Sequence, residues 1–234
     1  MPTKLRGPAL DSCPQCDEVK KSYPQHWNRS ASCTYPSLSD ELHQIVRGIL
    51  LSDGSLEGRE RAKLRVETTS KPLGEWLYDA LGLLSGGLRQ YRNQPPDSDV
   101  YRVSSLAHPG LNQYRDWYDG SQQRIPEPDC LDSTGMTVFY ALDGSLAWGH
   151  EEQDPRITFK AVVDEYRSDL VTMLQTYDHG LTVTEGSDHV GLSATDTERF
   201  LDSLLGLVDG VEHKWATNHI EYETLRKSPT GEQE

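Results

Sequence analysis

Two aspartates stand in the same local setting 90 residues apart, Asp53 in VRGILLSDG (46–54) and Asp143 in MTVFYALDG (136–144). Each stretch reads as an apolar helix that runs straight into an Asp-Gly pair. A carboxylate in the last turn faces the negative end of the helix macrodipole, so the choice needs another reason in both places. Two such helices side by side would bring Asp53 and Asp143 together at one end. A like-charged pair there calls for a divalent cation, and carboxylate oxygens suit a hard ion, Mg2+ above all. Gly54 and Gly144 are expected in the left-handed conformation that ends many helices. Gly48 sits inside the first helix, where it costs about 1 kcal/mol against alanine. It is expected where another backbone packs close.

A second set of ligating residues lies near the start: Cys13-Pro-Gln-Cys16, then His26 and Cys33. Three thiols and an imidazole at this spacing suit tetrahedral Zn2+. So short a region, with few aliphatic residues, cannot fold on burial alone, and the metal would supply the stability. Reduced thiols with a surface histidine, or a disulfide, are the other reading. Cys130 is remote and reads as an ordinary thiol. The net positive charge of this region suits a small accessory module that touches DNA or stabilises the fold.

The paired helices, with Gly48, Asp53 and Gly54 in the first copy, resemble the LAGLIDADG homing endonucleases in their single-chain, two-repeat form. The segment Trp117-Tyr118-Asp-Gly120-Ser-Gln-Gln123-Arg124-Ile125-Pro126 is similar to the family's connector between repeats. The resemblance covers roughly residues 38–226. It implies a monomer that binds double-stranded DNA and hydrolyses phosphodiester bonds at a specific site, with intron homing as the setting. It also implies one basic residue per repeat near the metal-bound water. Lys214 matches that position in the second repeat, whereas the first repeat has Gln123 in place of the usual lysine. A neutral amide can still orient water but carries no charge.

These residues need elements to hold them. Ser37 or Ser39 can cap the first helix and Thr134 the second, while Thr195-Asp-Thr-Glu198 reads as a capping box. After the first Asp-Gly pair, Arg59, Arg61, Lys63 and Arg65 occupy alternate positions. In a strand they would share one face, a ladder of cations matched to a DNA groove. Arg89, Arg92 and Arg102 on the following hairpin extend that basic face, and Arg156 and Lys160 occupy the corresponding strand of the second half. Ser70-Lys-Pro72 opens an amphipathic helix with Leu73, Trp76, Leu77, Ala80 and Leu81 inward. The order helix–strand–strand–helix–strand–strand–helix occurs twice. It predicts an α+β fold, a pseudo-twofold pair of αββαββα repeats with two antiparallel, saddle-like sheets and the motif helices central. The expected divisions are a zinc-knuckle-like module at 1–37, repeats at 38–134 and 135–227, and a disordered tail at 228–234.

The chain of 234 residues carries a net charge of −14, divided as +2 over residues 1–37, −4 over 38–134 and −12 over 135–234. The acid is concentrated late, leaving the basic clusters of the first half able to face a polyanion. Fifteen arginines against eight lysines, in an acidic chain, is a pattern a salt-loving prokaryotic or viral source would produce. No apolar run is long enough to span a membrane, and the polar start argues against a signal peptide, so a cytoplasmic protein is expected. Two functional readings therefore stand side by side: a metal-dependent endonuclease, and a DNA-binding or regulatory protein of the same fold that does not cut. A third, an acidic interaction module with a zinc site, requires the basic alternation to be coincidence.

Overall fold

Polar caps and alternating apolar positions set the element boundaries. The computed structural model describes residues 4–5, 12–93, 98–119, 122–148, 155–216 and 218–227. The expected tail, 228–234, and the side chains of Arg92 and Gln123 lie outside the described residues. In order, the chain forms β1 (Lys4–Leu5), α1 (Tyr23–Arg29), α2 (Asp40–Leu50), β2 (Ser55–Glu57), β3 (Lys63–Thr68), α3 (Lys71–Ala80), β4 (Ser85–Asn93) and β5 (Ser98–Ser105). A 3-10 segment, Pro109–Trp117, leads to β6 (Tyr118–Asp119) and β7 (Gln122–Gln123). Then follow α4 (Ser133–Asp143), β8 (Gly144–Trp148), β9 (Pro155–Lys160), α5 (Asp164–Tyr177), β10 (Val183–Glu185), β11 (His189–Leu192), α6 (Ala194–Ser203) and α7 (His219–Lys227). The αββαββα order thus occurs twice, with a 3-10 turn in place of the closing helix of the first copy. None of the described helices is long and apolar enough to cross a membrane.

The chain divides into two compact units, one comprising residues 1–43 with 54–116, the other 44–53 with 117–234. In the first, an antiparallel sheet runs β4-β5-β3-β2, with the two-residue β1 added beside β4. Period-two alternation puts Leu64 and Val66 of β3, Leu88 of β4 and Val103 of β5 on the buried face. Helix α3 covers that face with Leu73, Leu77 and Tyr78, and Ser70 caps it by accepting from the Leu73 N–H at 3.3 Å. Lys63, Arg65, Glu67, Arg89 and Arg102 lie on the opposite face.

In the second unit the sheet order is β10-β11-β9-β8, again antiparallel. Ile157 and Phe159 of β9 and Val190 of β11 point into the core. There Phe139 of α4 stacks on Phe159, ring centroids 5.1 Å apart, and Phe200 of α6 meets Tyr140 edge-on at 5.6 Å. The caps of α4 and α6 are Asp132, accepting from the Gly135 N–H, and Ser193, accepting from the Asp196 N–H, not the expected Thr134 and Thr195. In both cases the helix starts earlier, because a side chain two residues upstream already satisfies an end donor.

Close backbone contact explains Gly48. A Cβ there would lie 2.4 Å from the Gly135 carbonyl oxygen and 2.8 Å from Val138 Cβ, while one on Gly135 would lie 2.6 Å from Gln44 Oε1. Residues 44–50 of α2 therefore lie against α4 backbone to backbone, glycine facing glycine. Gly48→Ala should destabilise the protein by about 1–3 kcal/mol, since neither backbone can yield as a flexible side chain would. A denaturant midpoint equal to the parent's would contradict this packing.

The expectation for the Asp-Gly glycines needs correction. Gly144 has φ −66° and ψ 148°, ordinary extended backbone, and Gly54 is not among the glycines with positive φ. Gly144 pairs at once with Phe159 as the first residue of β8, which demands an extended conformation. Glycine is required there for space, because a Cβ would lie 2.0 Å from the Tyr140 ring.

Candidate functional site

The second unit holds Asp53, Asp143 and Lys214 together. Asp53 is exposed in the turn that follows α2, and Asp143, half-buried, is the last residue of α4. The end of α2 is tied down by two hydroxyls that take up carbonyls a helix terminus leaves unpaired. Ser52 donates to the Ile49 carbonyl at 2.8 Å, and Tyr166 of α5 donates to that of Leu51 at 3.0 Å. Lys214 comes from a 3-10 turn, Glu212–Trp215, after α6. That turn is fixed by Tyr140, whose hydroxyl donates to the Lys214 carbonyl at 2.6 Å and whose ring meets Trp215 edge-on at 5.1 Å. The amine then reaches back to α4 and donates to the Ala141 carbonyl at 2.8 Å, one turn-fraction from Asp143.

Electrostatics reports the same proximity. Burial raises the Asp143 carboxyl, and the charge of Asp53 raises it further; Lys214 and Lys160 pull the other way, leaving it at about 6. Burial likewise lowers the Lys214 ammonium to about 8 against the pull of Asp143 and Asp53. An Asp143 carboxyl whose ionised form is disfavoured by burial and by the neighbouring Asp53 charge makes, with Asp53, an all-oxygen donor pair that fits a hard divalent cation. The glycine-to-glycine contact of α2 with α4 is what lets both helices end at this point. Gln123 lies in β7, paired with Tyr118 of β6.

The basic alternation of residues 59–65 does not form a four-cation ladder. β2 and β3 are joined by a turn through Gly58 (φ 92°), and β3 begins only at Lys63. Arg59 and Arg61 lie in the connection, so only Lys63 and Arg65 share the strand face. Arg61 is engaged elsewhere: its guanidinium donates to Tyr35 Oη at 3.0 Å and to Asn28 Oδ1 at 2.7 Å, and packs over the Tyr35 ring. Arg65 is paired with Glu57 at 2.9 Å and with Glu67, and Arg102 donates to Glu67 at 2.7 Å while lying over the Tyr91 ring. Burial raises the Glu67 carboxyl, but hydrogen bonds from Tyr91, Arg65 and Arg102 outweigh it and hold it at about 2. Arg89 is exposed on β4. On the second sheet, Arg156 and Lys160 are exposed on one face of β9, with Thr158 between them.

In the first unit Cys13, Cys16, His26 and Cys33 converge, with all four ligand atoms within 4.8 Å of one another and Cys16 Sγ 3.6 Å from His26 Nε2. Ligands around tetrahedral zinc, at bonds of about 2.0–2.3 Å, lie roughly 3.5–3.8 Å apart. The Cys-Pro-Gln-Cys turn is closed by the Cys16 and Asp17 N–H groups donating to the Cys13 carbonyl. Asp17 adopts φ 55°, a conformation its short polar side chain tolerates. Burial raises the Cys13 thiol, but hydrogen bonds from the Gln15 backbone, Trp27 and Cys16 bring it down to about 6. That favours the thiolate a metal needs. Cys13 and Cys33 pack with Tyr23 and Trp27 of α1 in a small core. Cys130 is separate and buried; burial pushes its thiol up to about 11, as suits an inert residue.

No curated protein matches the chain. Among solved structures, the homing endonuclease I-WcaI bound to its DNA recognition sequence is similar, with a TM-score of 0.66 at 13% identity. That match covers 79% of this chain and 89% of the other. The N-terminal LAGLIDADG domain of WhiA matches at a TM-score of 0.45 and 14% identity, over 72% of this chain and 84% of that one. I-DmoI in complex with DNA and Mn matches at 0.42 and 15%, over 71% and 97%. At 13% identity the likeness to I-WcaI is one of fold. The family model for LAGLIDADG DNA endonucleases, however, matches residues 43–187, more than half the chain and inclusive of both Asp-Gly stretches, 46–54 and 136–144. With its paired motif helices and repeated αββαββα units, the chain belongs to the LAGLIDADG DNA endonuclease family.

Proposed function

We propose that the protein is a site-specific double-stranded DNA endonuclease that holds Mg2+ between Asp53 and Asp143. The convergence of these two carboxylates with Lys214 at the end of glycine-apposed helices carries the reading. A bound divalent cation would supply Lewis-acid stabilisation of the phosphate and a more acidic water. The protein's own contribution is to hold the carboxylates at fixed helix ends and to keep an ammonium beside them. Lys214, anchored on the Ala141 carbonyl, stabilises negative charge that develops on phosphate oxygens. Lys63, Arg65, Arg89 and Arg102 on one sheet, and Arg156 and Lys160 on the other, are the cations offered to the duplex. Arg59 and Arg92 would add to them from a turn and from the distal end of β4, while Arg61 is committed to the N-terminal module.

Cleavage of a plasmid carrying a candidate insertion-site sequence, with and without Mg2+, tests the reading: Mg2+-dependent linear product supports it. A second reading, a DNA-binding protein that does not cut, draws on the ion-paired state of Arg65 and Arg102 and on Gln123. Binding without cleavage would select it.

The Cys13–Cys16–His26–Cys33 cluster holds structural Zn2+ in this proposal. Elemental analysis should find close to one zinc per chain, lost with Cys16→Ser together with several kcal/mol of the module's stability. A metal-free protein of equal stability would contradict it.

A further inference from the structure

We propose that the cleft above the Cys3His cluster is a phosphodiester-binding site, an anchor for duplex backbone outside the two sheets. The proposal rests on the DNA-binding reading above and gives the N-terminal module a part in it. The cleft measures about 550 Å3; Cys16, His26 and Cys33 form part of its wall, and Lys20, Lys21, Arg29, Ser22, Ser30 and Ser32 surround them. Glu18 is the one acid lining it and is tied to Lys20. Lys21 and Arg29 are exposed, and no acidic side chain pairs with either among the described residues.

The cleft carries three cations against one acid, in a chain of net charge −14. Elsewhere in the same unit Arg65 and Arg102 are ion-paired with Glu57 and Glu67, and Arg115 is hydrogen-bonded to the Gly58 carbonyl. Two unpaired cations beside small hydroxyl donors are the groups that contact phosphate oxygens and fix a protein on the backbone without reading sequence. The cleft is also held rigidly. Cys33 and Trp27 pack beneath it, and Arg61 joins the module to the β2–β3 connection through Asn28 and Tyr35. Tyr35 in turn meets His108 edge-on at 5.1 Å, and His108 Nε2 bonds the Pro36 carbonyl at 3.0 Å. The same connection leads directly into Lys63 and Arg65. An anchor preorganised in this way loses little entropy on binding.

The test compares full-length, zinc-loaded protein with its Lys21→Ala/Arg29→Ala variant on a short random-sequence duplex. Both side chains are exposed, so the variant should keep its zinc and its circular dichroism. Duplex affinity at low salt should fall about tenfold, and the slope of log affinity against log salt should flatten by about two units, one per lost phosphate contact. Charge reversal, Lys21→Glu/Arg29→Glu, should weaken binding further. A parent that binds DNA, with a variant of the same affinity and slope, overturns the anchor and leaves the endonuclease reading standing. A parent that binds no duplex overturns both.

Discussion

Asp143→Asn should abolish cutting of both strands, lowering the rate by more than about 10³, while duplex affinity stays the same or tightens slightly. The asparagine keeps the shape of the helix end but removes half of the anionic pair, so under the proposed function the cation would lose a ligand shared by both strand cuts. Affinity should not fall, because a negative charge beside phosphates has been taken away. Stability supplies an independent readout. The folded Asp143 carboxyl titrates at about 6, above its ordinary value near 3.8, so the native state binds the proton more tightly than the unfolded chain does. Linkage then makes the ionised group destabilising as pH rises through that window. The metal-free Asn variant should therefore be at least as stable as the parent at neutral pH. In the parent, metal uptake should weaken as pH falls through about 6. A variant that still cuts would remove Asp143 from the site.

The two strands should be cut at different rates, with nicked circle accumulating before linear DNA. In the proposed mechanism each repeat lends its own surroundings to the aspartates. In the second, Lys214 brings an ammonium that donates to the Ala141 carbonyl; in the first, the position that the family resemblance aligns with it is Gln123, which is neutral. Loss of one preorganised charged donor costs on the order of 10²–10³ in rate. Lys214→Gln should slow the faster cut by that order, and Gln123→Lys should speed the slower one. Because burial brings the Lys214 ammonium down to about 8, its contribution should fade as pH rises through that value. Equal strand rates in the parent would overturn the asymmetry.

Much of the carboxylate site could be read from the chain because it rests on local facts repeated twice. An apolar helix ending in Asp-Gly is visible in a window of nine residues, and a glycine within it already implies close backbone contact. The reason for Gly144 was not visible: its neighbour, the Tyr140 ring, is set by the direct passage from helix to strand. Alternation correctly put Lys63 and Arg65 on one face of a strand. It could not show that Gly58 turns the chain just before them, nor that Glu57 and Glu67 lie beside Arg65. Partners across a sheet depend on register, which a single strand does not encode. Arg61 is the sharpest case, since its partners Asn28 and Tyr35 lie 33 and 26 residues earlier. Lys214 owes its place to Tyr140 and Trp215, tertiary contacts without sequence periodicity, and only the family resemblance pointed to it. The polar α7 has no buried residues among those described, so no apolar stripe announced it.

The central claim is that Asp53 and Asp143 together hold the catalytic cation. Manganese(II) titration of the zinc-loaded, DNA-bound protein, followed by electron paramagnetic resonance, addresses it most directly, because it counts bound metal without requiring turnover. The parent complex should take up Mn2+ at a tight site that disappears in the Asp53→Asn/Asp143→Asn variant while zinc content and DNA affinity persist. Equal Mn2+ uptake by parent and double variant would contradict the account.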